Sequence, residues 1–204
     1  PTTEQPKAEQ PKVEKPAAET TPKEELKNVT LESALKHPNW AMGAKVTIDS
    51  STMVNKGLEV CEARWLFDTK PDKIEVVIQP QSIVHSAVEF EDGSVIAQMG
   101  VPDMKLPISY ALTYPERRFV SDNYLDLFSI SKLDFIKPDL DKFRGLKLAF
   151  MAITEGGSLP TVFNAANEVA VALFIQKKIR YLDIVNIIEE NLNKHIKIEN
   201  PTVD

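Results

Sequence analysis

The clearest hydrophobic pattern lies in the carboxyl-terminal part of the chain. Within residues 145–194, apolar side chains recur every three or four positions in three segments, which are separated near Gly156-Gly157 and near residues 177–180. This spacing places the apolar side chains on one face of each segment when it is helical. The pattern therefore predicts three helices that pack into a small bundle.

Shorter apolar runs in the middle of the chain are typical of strands. The runs IEVVIQ (74–79), SIVHSAVEF (82–90) and SVIAQMG (94–100) are rich in valine and isoleucine. The pair Asp92-Gly93, which separates the last two runs, favours a tight turn. We therefore expect the last two runs to form an antiparallel hairpin.

The segments around these runs follow other patterns. The stretch PKEELKNVTLESALKHP predicts one or two short helical pieces that Pro38 ends. The β-branched run KVTID (45–49) predicts a short strand, and residues 50–67 carry apolar side chains near helical spacing after serine or aspartate caps. We therefore expect strand, turn and helix in that order. Residues 105–113 are predicted helical and residues 114–143 irregular.

Composition narrows the possible classes of protein. The 204 residues carry a net charge of -6, and the basic residues are scattered, which argues against binding to nucleic acid. Cys61 is the only cysteine, so an internal disulfide and a multi-cysteine metal site are excluded. No apolar run approaches the roughly 18 to 20 residues that cross a bilayer. We expect a reducing compartment and neither a nucleic-acid nor a membrane partner.

The amino-terminal residues 1–23 differ from the rest. The pentads EQPKA, EQPKV and EKPAA repeat in register from Glu4, and five of the fourteen prolines lie in the first 22 residues. Proline-rich, charged repeats of this kind do not support a packed core. The segment is predicted to be a disordered tail.

The densest group of functional side chains lies at the predicted start of the helix in residues 50–67. Hydroxyl groups, an ammonium group and free backbone N–H groups at a helix start are the donors that bind phosphate. A carboxylate at Glu59 could ligate a divalent cation or orient a substrate hydroxyl. The same pattern also fits an ordinary capped helix with a Lys56–Glu59 surface ion pair. The group comprises Asp49, Ser50, Ser51, Thr52, Asn55, Lys56 and Glu59.

Histidines and isolated polar residues suggest further roles. His37, with Trp40 and Met42 in the loop HPNWAMG, is compatible with a lid over a ligand or with a surface loop anchored by the tryptophan. Structural roles are expected for His85 and His195. Capping or interface roles are expected for four polar residues on apolar helices: Glu62, Asn164, Asn167 and Glu168.

Four blocks of the sequence together resemble the 1-deoxy-D-xylulose 5-phosphate reductoisomerase family. They come in the order and spacing of that family, and the resemblance covers roughly residues 24–204. The long DS-x-TM-x-NKGLE pattern is the most specific of its motifs. The blocks are HPNWAMG (37–43), IDSSTMVNKGLEVCEARWLF (48–67), QPQSIVHSAVEFEDGSVIAQMGVPDMKLPISYAL (79–112) and FNAANEVAVALF (163–174).

The resemblance implies a fold and a domain order. It implies an α/β (α+β) catalytic domain with a small, mostly antiparallel sheet, followed by a carboxyl-terminal helical bundle. Residues 24–113 would form part of the catalytic domain, residues 114–143 an irregular linker, and residues 144–204 a truncated bundle domain. The family's dinucleotide-binding domain and the acidic segment that supplies two metal ligands are not found in the sequence.

The resemblance also implies roles for individual residues. Ser50, Asn55 and Lys56 would hold the substrate phosphate, with His37 joining them from the lid as a substrate-binding and catalytic residue. Glu59 would be catalytic, one of three ligands to Mn²⁺ or Mg²⁺, and in contact with a substrate hydroxyl. Trp40 and Met42 would close over the substrate, and Gly43 would lie beside NADPH.

The family activity is the conversion of 1-deoxy-D-xylulose 5-phosphate into 2-C-methyl-D-erythritol 4-phosphate, in the non-mevalonate route to isoprenoid precursors. A homodimer supported by the hairpin and a bacterial cytoplasmic or plastid location are implied. With one metal ligand of three, the chain alone is expected to be inactive. Two alternatives stay open: a non-catalytic relative that acts as a sugar-phosphate-binding or dimerisation module, and a metal-dependent sugar-phosphate isomerase without a redox step.

Overall fold

The computed structural model describes residues 22–36 and 42–202, so most of the predicted tail, His37, Pro38 and Trp40 lie outside the described residues. Within the described part, every helix is too short or too polar to cross a lipid bilayer. The elements in chain order are a 3₁₀ helix (Lys23–Asn28), α1 (Leu31–Ala34), α2 (Ala44–Ser51), α3 (Val54–Leu66), a 3₁₀ turn (Pro71–Lys73), β1 (Val84–Glu89), β2 (Val95–Met99), α4 (Lys105–Thr113), α5 (Arg144–Glu155), α6 (Leu159–Ile175) and α7 (Tyr181–Lys194).

One compact unit comprises residues 79–135 and contains the predicted hairpin. Strands β1 and β2 pair antiparallel, with Ala87 opposite Ala97. The turn forms because Gly93 adopts a positive φ of 81° and the Asp92 carboxylate accepts the N–H of Ser94 at 2.9 Å. The predictions of the hairpin and of the helix at residues 105–113 are confirmed.

The second unit comprises the described residues 22–36, 42–78 and 136–202. Helices α5, α6 and α7 confirm the predicted bundle, and both breaks lie where the sequence placed them, with Gly156 at φ 71° and Lys177 at φ 57°. The two short helical pieces near the amino end are also confirmed. A continuous apolar core joins these helices to α2 and α3, and its fully buried side chains include Ile48, Val54, Phe163, Ile184 and Ile188.

Two strand predictions are wrong. Residues 45–49 belong to helix α2, because Thr47 and Ile48 are buried against the other helices and the Thr47 hydroxyl donates to the Gly43 carbonyl at 3.0 Å. Packing of this kind outweighs the weak β-preference of branched residues. Residues 74–79, all of them described, form one isolated bridge between Ile78 and Ile136 instead of a strand.

Helix α3 lies very close to α5 because both helices carry a glycine at their contact. A Cβ added at Gly57 would lie 2.5 Å from the Ala149 Cβ. A Cβ added at Gly145 would lie 2.7 Å from a Val54 methyl and 2.8 Å from the Thr52 carbonyl oxygen. The glycine within the NKGLE motif therefore seats α3 against the bundle, with Asn55, Lys56 and Glu59 on its more exposed side.

Gly57→Ala is expected to lower the free energy of unfolding by about 1–3 kcal/mol, the usual cost of overpacking a core. This cost exceeds the roughly 0.5–1 kcal/mol that alanine contributes over glycine within a helix. Urea denaturation measures the change. Glu62→Ala, at an exposed position of the same helix, is the control and should stay within about 0.5 kcal/mol of the wild type. Equal stability of Gly57→Ala and the wild type would contradict the close packing.

Candidate active site

The junction between α2 and α3 carries four of the eight predicted site residues, Ser50, Asn55, Lys56 and Glu59. Helix α2 ends at Ser51, Thr52 and Met53 form the connection, and α3 begins at Val54. Met53 adopts a left-handed conformation with φ 58°, which turns the chain between the two helices. The side chain of Met53 is buried, so core packing holds this unusual backbone in place.

The serines of this junction do not cap α3, so that prediction is wrong. The Ser50 hydroxyl donates to the Val46 carbonyl at 2.8 Å, and the Ser51 hydroxyl donates to the Ile48 carbonyl at 2.7 Å. Both serines therefore lie in the last turn of α2, because that helix continues through residues the sequence assigned to a strand. Ser50 can donate to a bound anion only after its hydroxyl turns away from Val46.

On α3, a single carboxylate engages both predicted phosphate donors. The Asn55 amide donates to Glu59 Oε1 at 2.9 Å, and the Lys56 ammonium forms an ion pair with Glu59 Oε2. The Lys56 and Glu59 side chains are 41% and 46% exposed. The expected surface ion pair is thus present, and all three polar groups remain accessible to a ligand that displaces it.

Two buried side chains of the bundle, Asn167 and Tyr181, form hydrogen bonds with residues at the end of α2. The Asp49 carboxylate is almost fully buried and accepts from Lys45 Nζ at 2.7 Å and from the Asn167 amide at 2.9 Å. The Tyr181 hydroxyl donates to the Ser51 carbonyl at 2.8 Å and lies 3.2 Å from the Ser51 hydroxyl. Burial raises the pKa of Tyr181 to about 12, above the ordinary tyrosine value near 10, so its hydroxyl remains a donor to an even higher pH.

Of the four remaining predicted residues, the structure describes two, Met42 and Gly43. His37 and Trp40 lie outside the described residues. Met42 is half-buried, and Gly43 is exposed at the start of α2 with no described atom within 4 Å of an added Cβ. The sequence missed the roles of Asn167 and Tyr181 at the junction, because their contacts span 118 and 130 residues.

Glu59 does not belong to a complete metal site within the described part of the chain. No group of three or more His, Cys, Asp or Glu side chains is placed there to hold an ion. A carboxylate suits Mg²⁺ or Mn²⁺, but one carboxylate binds such ions weakly. The other histidines have structural bonds, as expected: His85 contacts the Gln98 side chain at 3.1 Å, and His195 contacts the Ser158 hydroxyl at 2.6 Å.

A second group of cations lines a cleft of about 380 Å³ between the amino-terminal 3₁₀ helix and the loop before α7. It includes Lys27, Lys177 and Arg180. Lys177 pairs with Glu32 at 2.6 Å, and Arg180 pairs with Asp183 at 3.3 Å. This cationic cleft is the alternative place for an anion, so experiments on the junction need to distinguish the two.

Comparisons with known proteins agree on one family. Residues 99–204 match the DXP reductoisomerase C-terminal domain, and residues 16–67 match the 1-deoxy-D-xylulose 5-phosphate reductoisomerase C-terminal domain. The 1-deoxy-D-xylulose 5-phosphate reductoisomerase of Lachnospira eligens is 60% identical over 182 residues, which are 89% of this chain and 48% of the relative. That of Agathobacter rectalis is 61% identical over 180 residues, which are 88% of this chain and 47% of the relative.

Solved structures give the same result. A DOX-P reductoisomerase in complex with NADPH, fosmidomycin and magnesium superposes with a TM-score of 0.83 at 48% identity, covering 86% of this chain and 43% of the other. The enzyme of Zymomonas mobilis in complex with NADPH gives a TM-score of 0.82 at 44% identity, covering 90% of this chain and 47% of the other. The predicted fold class is confirmed.

The chain spans about half the length of the curated relatives that it matches. The family models cover the blocks 48–67 and 163–174, so the resemblance drawn from the sequence is confirmed. The chain belongs to the 1-deoxy-D-xylulose 5-phosphate reductoisomerase family, and the part of the family that it matches is the carboxyl-terminal one.

Proposed function

We propose that this chain binds the phosphate of 1-deoxy-D-xylulose 5-phosphate and forms the carboxyl-terminal part of a reductoisomerase that produces 2-C-methyl-D-erythritol 4-phosphate. One observation carries the proposal. Ser50 lies in the last turn of α2, Asn55 and Lys56 lie in the first turn of α3, and the hydroxyl, amide and ammonium groups of these residues are partly exposed. These three donors suit the oxygens of a phosphate.

Phosphate binding requires an exchange of partners at this junction. Lys56 and Asn55 both donate to Glu59, and Ser50 donates to Val46. A phosphate dianion offers a stronger acceptor to the ammonium than one carboxylate does, and it can accept from all three donors at once. The Glu59 carboxylate, once released, is free to ligate a cation or to accept a substrate hydroxyl.

In the whole protein we propose NADPH and Mg²⁺ or Mn²⁺ as cofactors, because solved relatives contain NADPH and magnesium. The cation would polarise the oxygens of the keto sugar for rearrangement, and NADPH would supply the hydride. Glu59 would be one ligand, completed by residues from the half of the relatives that this chain does not span. His37, Trp40 and Met42 would cover the substrate, and Gly43 would adjoin NADPH.

The hairpin supports the further proposal of a homodimer in the whole protein. Both faces of β1 and β2 are exposed, with Val88 at 60% and Ile96 at 66%. An isolated two-stranded hairpin is marginal in water, and an apolar surface of this kind suits a protein contact. We also propose that the chain divides into residues 24–113, 114–143 and 144–204. A location in the bacterial cytoplasm is proposed because the relatives named above are bacterial.

Joining residues 22–204 to the amino-terminal half of the Lachnospira eligens relative tests this function. We expect NADPH oxidation that depends on both Mg²⁺ and 1-deoxy-D-xylulose 5-phosphate in the joined protein, and none in the 204-residue chain by itself. The reason is that the described residues contain no group of three or more His, Cys, Asp or Glu side chains that could hold a metal ion. Turnover by the chain alone would contradict the proposal, as would a joined protein that folds and binds NADPH without turnover.

A further inference from the structure

Two hydrogen bonds tie the carboxyl-terminal helices to the α2–α3 junction. Asn167 on α6 donates to Asp49, the residue directly before Ser50. Tyr181, the first residue of α7, donates to the backbone carbonyl of Ser51. Both contacts reach the last turn of α2, one on each side of the candidate phosphate ligand Ser50.

Asn167 is a polar residue in a mostly apolar part of the core. It is fully buried, and its Oδ1 atom has no hydrogen-bond partner among the described residues. A buried amide oxygen without a partner destabilises a fold, whereas an apolar side chain of similar size at this position would not. Its neighbours along the same helix face, Phe163 and Ala170, are apolar and buried. The amide is explained by the bond to Asp49.

The backbone at the α2–α3 junction also requires stabilising contacts. The last turn of a helix opens easily because its final carbonyls have no helical partner. Met53 follows in a left-handed conformation, which a residue other than glycine keeps only when its surroundings fix it. Tyr181 satisfies one of these final carbonyls, that of Ser51, and Asn167 donates to the Asp49 side chain in the same turn.

We propose that Asn167 and Tyr181 are positioning residues of the phosphate site: through Asp49 and Ser51 they hold the end of α2 so that Ser50 and the donors of α3 face one phosphate. The inference rests on the proposed function and adds to it a role for the carboxyl-terminal helices in substrate binding. We expect neither side chain to touch the phosphate itself.

The test uses the 204-residue chain, with Asn167→Ala and Tyr181→Phe as variants. Tyr181→Phe removes only the hydroxyl and keeps the edge-to-face ring contact with Phe174 at 5.9 Å. Ile188→Val, a buried change on α7, is the control for general loss of stability. Amide hydrogen exchange at Thr52 and Met53, whose N–H groups bond to Ile48 and Ser50, reports the order of the junction without any ligand.

We expect both variants to speed exchange at Thr52 and Met53 and to raise the Kd for 1-deoxy-D-xylulose 5-phosphate by about three- to tenfold, the effect of losing one hydrogen bond. Ile188→Val should lower the Tm without changing either quantity. Unchanged exchange and Kd in both variants, or equal changes in Ile188→Val, would overturn the inference. A wild-type chain that binds no substrate while the variants still speed exchange would instead remove the proposed function.

Discussion

Lys56→Ala is expected to weaken the binding of 1-deoxy-D-xylulose 5-phosphate to the 204-residue chain by about 10- to 100-fold. Hydrogen bonds to charged groups contribute about 1.5–3 kcal/mol, and Lys56 is the cation of the predicted donor set at the junction. Calorimetric titration at fixed ionic strength measures the change. Folding should be retained, because the side chain is 41% exposed and its ion pair with Glu59 lies on the surface.

Lys177→Ala is the matched control for this prediction. Lys177 is also paired with a glutamate, Glu32, but it lines the cationic cleft and not the junction. Its removal should change the Kd by less than about twofold if the phosphate binds at the junction. The opposite outcome, a large loss in Lys177→Ala and none in Lys56→Ala, would transfer the anion site to the cleft.

Glu59→Gln is expected to strengthen the binding of the sugar phosphate to the 204-residue chain and to lower turnover by the joined protein. In the 204-residue chain, the substitution removes the carboxylate that competes for Lys56, so affinity for the sugar phosphate should rise about two- to fivefold, within the range of an exposed ion pair. In the protein joined to the amino-terminal half of its relative, it removes a proposed metal ligand. Turnover should then fall by about 100-fold or more.

Titration of the chain and Mg²⁺-dependent kinetics of the joined protein measure these two effects. Glu62→Gln, three residues further along α3 and exposed, is the control and should alter neither quantity. Unimpaired turnover with an unchanged requirement for Mg²⁺ in Glu59→Gln would remove Glu59 from the metal site. Weaker phosphate binding in the chain would show that Glu59 assists the anion and does not compete with it.

The elements that the sequence predicted correctly are those fixed by local patterns. The hairpin follows from two runs rich in valine and isoleucine on either side of Asp92-Gly93, whose turn geometry depends on neighbouring residues only. The three bundle helices follow from their apolar spacing, and Gly156 marks the first break through its positive φ. The members of the candidate cluster from Asp49 to Glu59 all lie in the last turn of α2, the connection after it or the first turns of α3, because they are close in sequence, and their role as a site stays a prediction.

The errors arose where distant contacts decide the structure. Residues 45–49 carry branched side chains that favour a strand locally, yet Ile48 packs into the helical core and the segment is a helix. Because α2 extends through Ser51, the hydroxyls of Ser50 and Ser51 donate to carbonyls of α2 and do not cap α3. No local pattern indicates that Asp49 would meet Asn167, 118 positions away.

We propose above that the α2–α3 junction binds the substrate phosphate. The most direct measurement is a titration of the ¹⁵N-labelled 204-residue chain with 1-deoxy-D-xylulose 5-phosphate, followed residue by residue by NMR at constant ionic strength. We expect the largest shifts at the amides of Ser50, Asn55 and Lys56. Shifts confined to residues 27–32 and to Lys177, Ile179 and Arg180, which line the cationic cleft, would contradict phosphate binding at the junction.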